Sequence, residues 1–546
     1  MRGSTRAALS AGVAAVALAA AGCTSSGGSG GDTDADGITV QGCTPENKFI
    51  PSNTNETCGG NVLDLVIAKL VHYNPDTAAP EMDIAESIES ADNQTFTVTL
   101  KKGYKFSDGT EVKAHNFVDA WNWAANGKNG QLNSYFFEPI EGSAEVACGS
   151  KDCEADPPKA ETMTGLAVVD DYTFTIKTTG KVSNLPIRLG YSVFAPLPDS
   201  FFTDDGKSFG DNPIGAGPYT LDSYEPGTAM VLKKNPDYSG EFGGQVDTIT
   251  FKIYQDSDAA YKDLQADQLD FVRQLPTSAL AGEKFKTDLP DRNLVKTTGS
   301  IATITFAPSA IDNSFDNTDL RRAISMAIDR DRIVNKVLAG TRIPADGWVP
   351  AVVDGSKAGA CGEWCTYDKA KAKALFDQAG GYTNAETGNK ITLAYNADGD
   401  HKAWTEATCN SITDALGVEC VATAEPDFST FRKKINADEM PGMFRTGWQM
   451  DYPSIENFLT PLYATGASSN DGDYSNPKFD QLLTEAAAAQ GDSVNEFYQQ
   501  AEAVLAEDMP VIPMWYGKAV AGWSTRVDNV RMTPFGVFDL ASVTLK

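Results

Sequence analysis

The chain has 546 residues, too many for one ordinary hydrophobic core, so two or three domains are expected. Hydrophobic content of 41% and charged content of 22% are globular values, which argue against disorder. With 45 basic against 74 acidic residues the formal charge is −29, which favours solubility, repels phosphate backbones and argues against a nucleic-acid partner.

The first segment, MRGSTRAALSAGVAAVALAAAGC, carries Arg2 and Arg6, an apolar run from Ala7 to Ala21, and then Gly22-Cys23. The run is too short and too rich in alanine for a permanent membrane helix, and reads as a secretory signal over 1–22. Ala20, Ala21 and Gly22 before Cys23, with Leu18 upstream, resemble a bacterial lipobox, although Ala20 stands where leucine is usual. That resemblance implies a lipid anchor on the Cys23 sulfur; the alternative is an ordinary signal peptide with an incidental cysteine. Residues 23–37 then form a flexible tether, because TSSGGSGGDTDADG holds no apolar residue beyond alanine. Nine cysteines include Cys23, and the others fall into the local pairs Cys43/Cys58, Cys148/Cys153, Cys361/Cys365 and Cys409/Cys420. They allow roughly a hundred connectivities, and nearest-neighbour pairing is the simplest in an oxidising compartment. His72, His115 and His401 are too few to complete zinc sites, so no metal and no cofactor are expected.

Alternating apolar residues predict strands in TFTVTL (95–100), YTFTIK (172–177), TITFKIY (248–254) and ATITFAP (302–308). In TDLRRAISMAIDRDRIVNKVLAG, Leu320, Ala323, Ile324, Ala327 and Ile328 recur at helical spacing. Thr318 or Asp319 is the expected cap, and Gly340 the stop. NPKFDQLLTEAAAA and VNEFYQQAEAVLAED are likewise helical. Strands and helices interleave without a sustained βαβ rhythm, as in a mixed α/β protein. No nucleophile elbow, zinc-protease motif, Walker loop or dinucleotide fingerprint is present, so catalysis has no local signature and the chain reads as a non-enzyme.

Five motifs in order then resemble the bacterial extracellular solute-binding proteins of family 5, the peptide receptors of ABC importers. They are FSDGTEVKAHNFVDAWNW (106–123), NPIGAGPYTL (212–221), LRRAISMAIDRDRIVNKVLAG (320–340), YSNPKFDQLL (474–483) and AEAVLAEDMPVIPMWY (501–516). The stretch NTNETCGGNVLDLV (53–66) is similar to the actinobacterial oligopeptide-binding branch. The resemblance implies a two-lobe periplasmic-binding-protein-like α/β fold of the class II, cluster C type. Lobe I would comprise 38–70, 206–299 and 513–546, with a subdomain inserted at 71–205, and lobe II would comprise 300–512. Segments near 297–306 and 512–520 would form a two-strand hinge that lets the lobes close on a ligand.

The resemblance also assigns a site. In Gly447-Trp448-Gln449-Met450-Asp451, the aspartate would receive a peptide's α-ammonium, because a half-desolvated carboxylate is costly until a charged donor lands on it. Gly447 to Gln449 would pair with the ligand backbone in strand fashion, and Trp448 would wall a pocket. Thr57, Cys58 and Gly59 would supply the facing strand. Arg445 would meet a ligand carboxylate or compensate Asp451. Residue by residue, Asp451 paired internally with Arg445, Trp448 as plain core and Cys58 in a surface loop remain open. The partners implied are a short peptide, ABC permease subunits and the membrane that holds the anchor, with the receptor a monomer on the outer face of the cytoplasmic membrane. The rival readings are the same fold holding an oligosaccharide, metal chelate or peptide-like natural product, and an exported hydrolase.

Overall fold

The computed structural model describes residues 36–149, 153–254, 256–397, 401–426, 428–467 and 469–546. The expected leader, most of the tether and the lipid site at Cys23 lie outside them. Eleven strands form one mixed sheet: β1 Gly37–Gly42, β2 Tyr219–Glu225, β3 Ala229–Lys234, β4 Thr248–Ile253, β5 Phe271–Val272, β6 Asn293–Phe306, β7 Arg342–Pro344, β8 Ile391–Asn396, β9 Cys420–Glu425, β10 Met443–Gln449 and β11 Val511–Trp523. Their order is β9-β8-β10-β6-β11-β5-β1-β4-β3-β2, with β7 beside β11.

The two longest strands, β6 and β11, carry the sheet through both lobes. Asn293–Thr297 pairs with Gly522–Lys518 on the lobe I side, and Ile301–Thr305 pairs with Tyr516–Val511 on the lobe II side. The register shifts between Thr297 and Ile301, which leaves Thr298, Gly299 and Ser300 irregular opposite Gly517. Gly517 has no room for a side chain, because a Cβ there would stand 2.0 Å from Ser300 Oγ and 2.6 Å from Thr298 Oγ1. A second, smaller shift follows between Ala302 and Thr303, and irregular points of this kind are where a sheet bends.

Each half of the sheet buries apolar residues on both faces. In lobe I, Val40, Ile249 and Phe271 pack with Val62, Leu63 and Val66, while Val272 and Val520 pack with Leu264 and Leu289 on the other face. In lobe II, Ile304, Leu393 and Met443 pack with Leu320, Ala323 and Ile324 on one face. Ile301, Val511 and Tyr516 pack with Phe479, Val504 and Leu505 on the other. A separate four-stranded antiparallel sheet, in the order Ala85–Glu89, Thr95–Leu100, Thr173–Lys177 and Leu166–Asp170, forms the inserted subdomain around Phe96, Trp121 and Phe174. Its core also takes in Tyr452 from lobe II.

Among the helices, α1 Thr57–Val66 opens the lobe I core, and α2 Thr318–Met326 and α3 Arg330–Lys336 pack in lobe II. The single helix expected from 318 to 340 is thus two. Arg330, buried, turns back to hold Ser325 O at 3.0 Å and Pro513 O at 2.8 Å, so it takes the carbonyls at the end of α2. The cap of α2 is Asn317, whose side chain accepts from Asp319 N at 3.0 Å, and Asp329 caps α3. Helices α4 Glu456–Tyr463, α5 Pro477–Ala488 and α6 Ser493–Asp508 pack in lobe II with Ile301, Val511 and Tyr516. Disulfides join Cys43–Cys58, Cys148–Cys153, Cys361–Cys365 and Cys409–Cys420. The first ties the end of β1 to the start of α1.

Candidate ligand-binding site

Strand β10 pairs with β6 along its whole length, from Met443 opposite Phe306 to Gln449 opposite Ser300. On its other side β8 reaches only Met443 and Phe444. From Arg445 to Gln449, therefore, no described strand covers that edge, and Gly447 and Gln449 are exposed there. An uncovered edge is a template for an added strand. Gly447 keeps this backbone close to β6, since a Cβ on it would stand 2.7 Å from Ile301 O.

Beyond the edge, the chain turns inward at Met450, whose N–H donates to Gly299 O at 2.8 Å. This bond links the end of β10 to the irregular point of β6. Asp451 follows, and one buried side chain organises it. The Asn457 carbonyl oxygen accepts from Asp451 N at 2.9 Å and from Trp448 Nε1 at 3.1 Å. Two donors on one oxygen fix the amide's orientation, so its NH2 faces the carboxylate, donating to Asp451 Oδ2 at 3.0 Å. Burial pushes the Asp451 carboxyl up from 3.8 to about 6; the Asn457 bond opposes the rise, Glu456 adds to it and Arg188 opposes it. The cation acting on Asp451 is therefore Arg188, from the inserted subdomain. Arg445 instead donates through Nε to Asn396 Oδ1 at 2.7 Å and lies 5.2 Å and 5.3 Å from the rings of Phe428 and Phe431. Compensation of Asp451 by Arg445, one of the expectations, gives way to this arrangement because Asn396 on β8 offers the nearer oxygen.

The inserted subdomain meets lobe II directly at this point. Arg188 pairs with Glu456 at 2.9 Å, both well buried, and Glu456 also accepts from Asn184 at 2.7 Å and from Tyr452 OH at 2.6 Å. Asn93 donates to Ala489 O at 2.8 Å. Burial and then the Asp451 charge raise the pKa values of Tyr73, Tyr135 and Tyr191, so three subdomain tyrosines lie within the field of that carboxylate. Beside the β10 edge a cavity of about 290 Å³ opens between Thr303, Thr446, Gly447, Trp448, Arg445 and Phe431. Its wall includes three linked hydroxyls, with Thr446 Oγ1 at 2.7 Å from both Thr303 and Thr305 Oγ1.

Thr57, Cys58 and Gly59 do not form a facing strand. They are the first turn of α1, and the Glu56 carboxylate takes the N–H of Cys58 at 2.6 Å and of Gly59 at 2.9 Å. Glutamate rarely caps with its own side chain, and two adjacent glycines read as extended chain, which hid the helix. Asn457, Arg188 and Glu456 were also missed. Asn457 stands six positions after Asp451 in an unremarkable polar stretch, and Arg188 is brought in only by tertiary folding.

A two-lobed protein whose sheet crosses between the lobes twice, with an uncovered strand edge and a desolvated carboxylate where they meet, is a cleft-type binding protein. The family model for "Bacterial extracellular solute-binding proteins, family 5 Middle" matches residues 79–470, and the chain belongs to this family. It is similar to the oligopeptide-binding protein OppA of Bacillus subtilis, at 25% identity over 475 residues, covering 85% of each chain. It is also similar to the periplasmic oligopeptide-binding protein OppA of Salmonella typhimurium, at 26% identity, covering 80% of this chain and 79% of the other. Among solved structures, Haemophilus influenzae OppA in complex with RPPGFSPFR superposes with a TM-score of 0.74 at 23% identity, covering 93% and 99% of the two chains. The fold is thus the two-lobe periplasmic-binding-protein fold, and the chain is an extracytoplasmic binding protein.

Proposed function

We propose that this protein captures short peptides between its lobes and hands them to the membrane permease of an ABC importer. Asp451 would receive the peptide's α-ammonium, and the edge from Gly447 to Gln449 would pair with the peptide backbone. Trp448 would wall the first side-chain pocket, and the Arg445 region the next. The reading of the lobes is 38–70, 206–299 and 513–546 for the first, 71–205 for its subdomain and 300–512 for the second, with the bend at Thr298–Ser300 and Gly517. A lipid on Cys23 and the tether behind it would hold a monomeric receptor at the outer face of the cytoplasmic membrane.

The observation that carries this reading is the pairing of an uncovered strand edge with a carboxylate held above its ordinary pKa by burial. Backbone pairing gives affinity without side-chain selectivity, and a buried carboxylate gives direction. The peptide-binding names of the relatives point the same way. The test is calorimetric titration with alanine peptides and their N-acetylated forms. The free-amine forms are expected to bind at least tenfold more tightly, the usual scale for losing a charged partner. Equal affinity removes Asp451 from the anchoring role.

A further inference from the structure

The inserted subdomain holds a second cavity, of about 650 Å³, which shares no residue with the cavity beside β10 or with the contacts to lobe II. It opens along the helix Ala114–Ala125, the turn that follows, and the segment 199–205. Two of its lining residues, Asn122 and Asn126, are only 7% and 6% exposed. Each commits its carbonyl oxygen to a backbone N–H, that of Met163 at 2.7 Å and that of Lys128 at 3.1 Å. As at Asn457, a held oxygen fixes which way the amide faces, and here the NH2 is left on the side of the cavity. Neither NH2 has an acceptor among the described residues. Trp123 lines the same space, and its Nε1 is also without a partner among them. Donors buried without acceptors are costly, so their gathering in one recess calls for a guest that accepts.

The mouth of this cavity is acidic. Asp199 is taken by His115 at 2.9 Å and Glu161 by Lys128 at 3.4 Å, whereas the carboxylates of Asp119 and Asp205 have no hydrogen bond or ion pair among the described residues. No three histidine, cysteine, aspartate or glutamate side chains among the described residues are grouped to hold a metal. The two layers decide the chemistry of the guest. An amine pairs with the mouth but leaves the inner donors unanswered. An anion answers the donors but has to pass these carboxylates on a chain of net charge −29. A hydroxyl both donates and accepts, so a polyhydroxylated guest satisfies the inner amides and the outer carboxylates together. The half-buried rings of Phe202 and Trp123 offer its C–H faces an apolar wall.

We propose that this cavity is a saccharide-binding site of the inserted subdomain, separate from the cleft between the lobes and taking a neutral mono- or disaccharide. Its volume lies within the roughly 300–1,000 Å³ usual for small-molecule sites. Asn122 and Asn126 donate to the sugar from the inner wall, and Asp119 and Asp205 accept from its hydroxyls at the mouth. The site stands whichever ligand the cleft holds, because it shares no residue with the arrangement around Asp451.

The experiment is saturation-transfer NMR of the mature chain, with glucose, N-acetylglucosamine, maltose and chitobiose as probes and spermidine and phosphate as charged controls. The wild type is compared with Asn126→Asp, Asp119→Ala and the cleft variant Trp448→Ala. At least one sugar is expected to bind the wild type and Trp448→Ala equally. Asn126→Asp keeps the acceptor for Lys128 N and loses the NH2, so that sugar should bind on the order of tenfold more weakly. Asp119→Ala changes an exposed residue and should weaken the sugar roughly several-fold at an unaltered Tm, so it decides the matter alone if Asn126→Asp fails to fold. Both subdomain variants should bind alanine peptides as the wild type does. The assignment is overturned if no sugar binds, or if Asp119→Ala binds it as the wild type does. It is equally overturned if Trp448→Ala loses the sugar, which puts the sugar in the cleft, or if spermidine or phosphate binds where the sugars do not.

Discussion

Acidification should move ligand-free stability and ligand affinity in opposite directions through one group. Burial raises the Asp451 carboxyl from 3.8 to about 6. Because the folded pKa lies above the unfolded one, the stability this group contributes is fully present below about pH 4 and is lost as pH rises through about 6. The shift of roughly two units corresponds to about 3 kcal/mol of strain carried by the empty protein at neutral pH. Asp451→Asn removes the charge but keeps an acceptor for Asn457, so the ligand-free variant should unfold at higher denaturant at pH 7, by up to about 3 kcal/mol. Binding runs the other way, since only the carboxylate attracts an ammonium. Affinity for a free-amine alanine peptide should fall about tenfold per pH unit below 6, while the N-acetylated peptide stays flat. Calorimetric titrations and denaturant unfolding over a common pH series read both effects. A free-amine affinity that is constant down to about pH 5, or an asparagine variant less stable than the wild type at pH 7, would mean that the Asp451 carboxyl is not the buried, strained anchor described.

Three further outcomes follow from named contacts. Asn457→Leu removes the donor that steadies the Asp451 carboxylate and the acceptor that holds Trp448. Free-amine affinity should drop on the order of tenfold and its pH midpoint should rise, with little change for N-acetylated peptide; an unmoved midpoint contradicts this. Arg188→Met leaves Glu456 buried without its cation, at a cost of about 3–5 kcal/mol to the form in which the subdomain touches lobe II. Small-angle scattering should show a larger ligand-free particle, and adding Glu456→Gln should restore the compact one. Gly517→Ala forces a methyl against Ser300 and Thr298, so the bend must shift, at about 1–3 kcal/mol in thermal unfolding and with altered closure kinetics; unchanged values for both would remove Gly517 from the hinge.

Much of the fold was legible because strands announce themselves by alternation: the predicted runs at 95–100, 172–177, 248–254 and 302–308 overlap strands at 95–100, 173–177, 248–253 and 293–306. Ordered motifs carried the architecture further than periodicity did. Where local rules compete, sequence reading failed. The repeat from 318 to 340 continues smoothly, yet Arg330 folds back onto Ser325 and divides the helix. TCGG reads as extended, yet Glu56 caps it into α1. The proposed site could be singled out at Asp451, Trp448 and Gly447 because they share one short stretch. Asn457 and Arg188 could not, since nothing in a lone polar residue says which carboxylate folding will bring beside it.

The most direct measurement is native mass spectrometry of the mature chain purified without unfolding, followed by fragmentation of whatever it retains. A set of small adducts is expected that fragment as short peptides with free amino termini and that are depleted in the Asp451→Asn variant. Adducts that fragment as a sugar, a chelate or another non-peptide compound would contradict it.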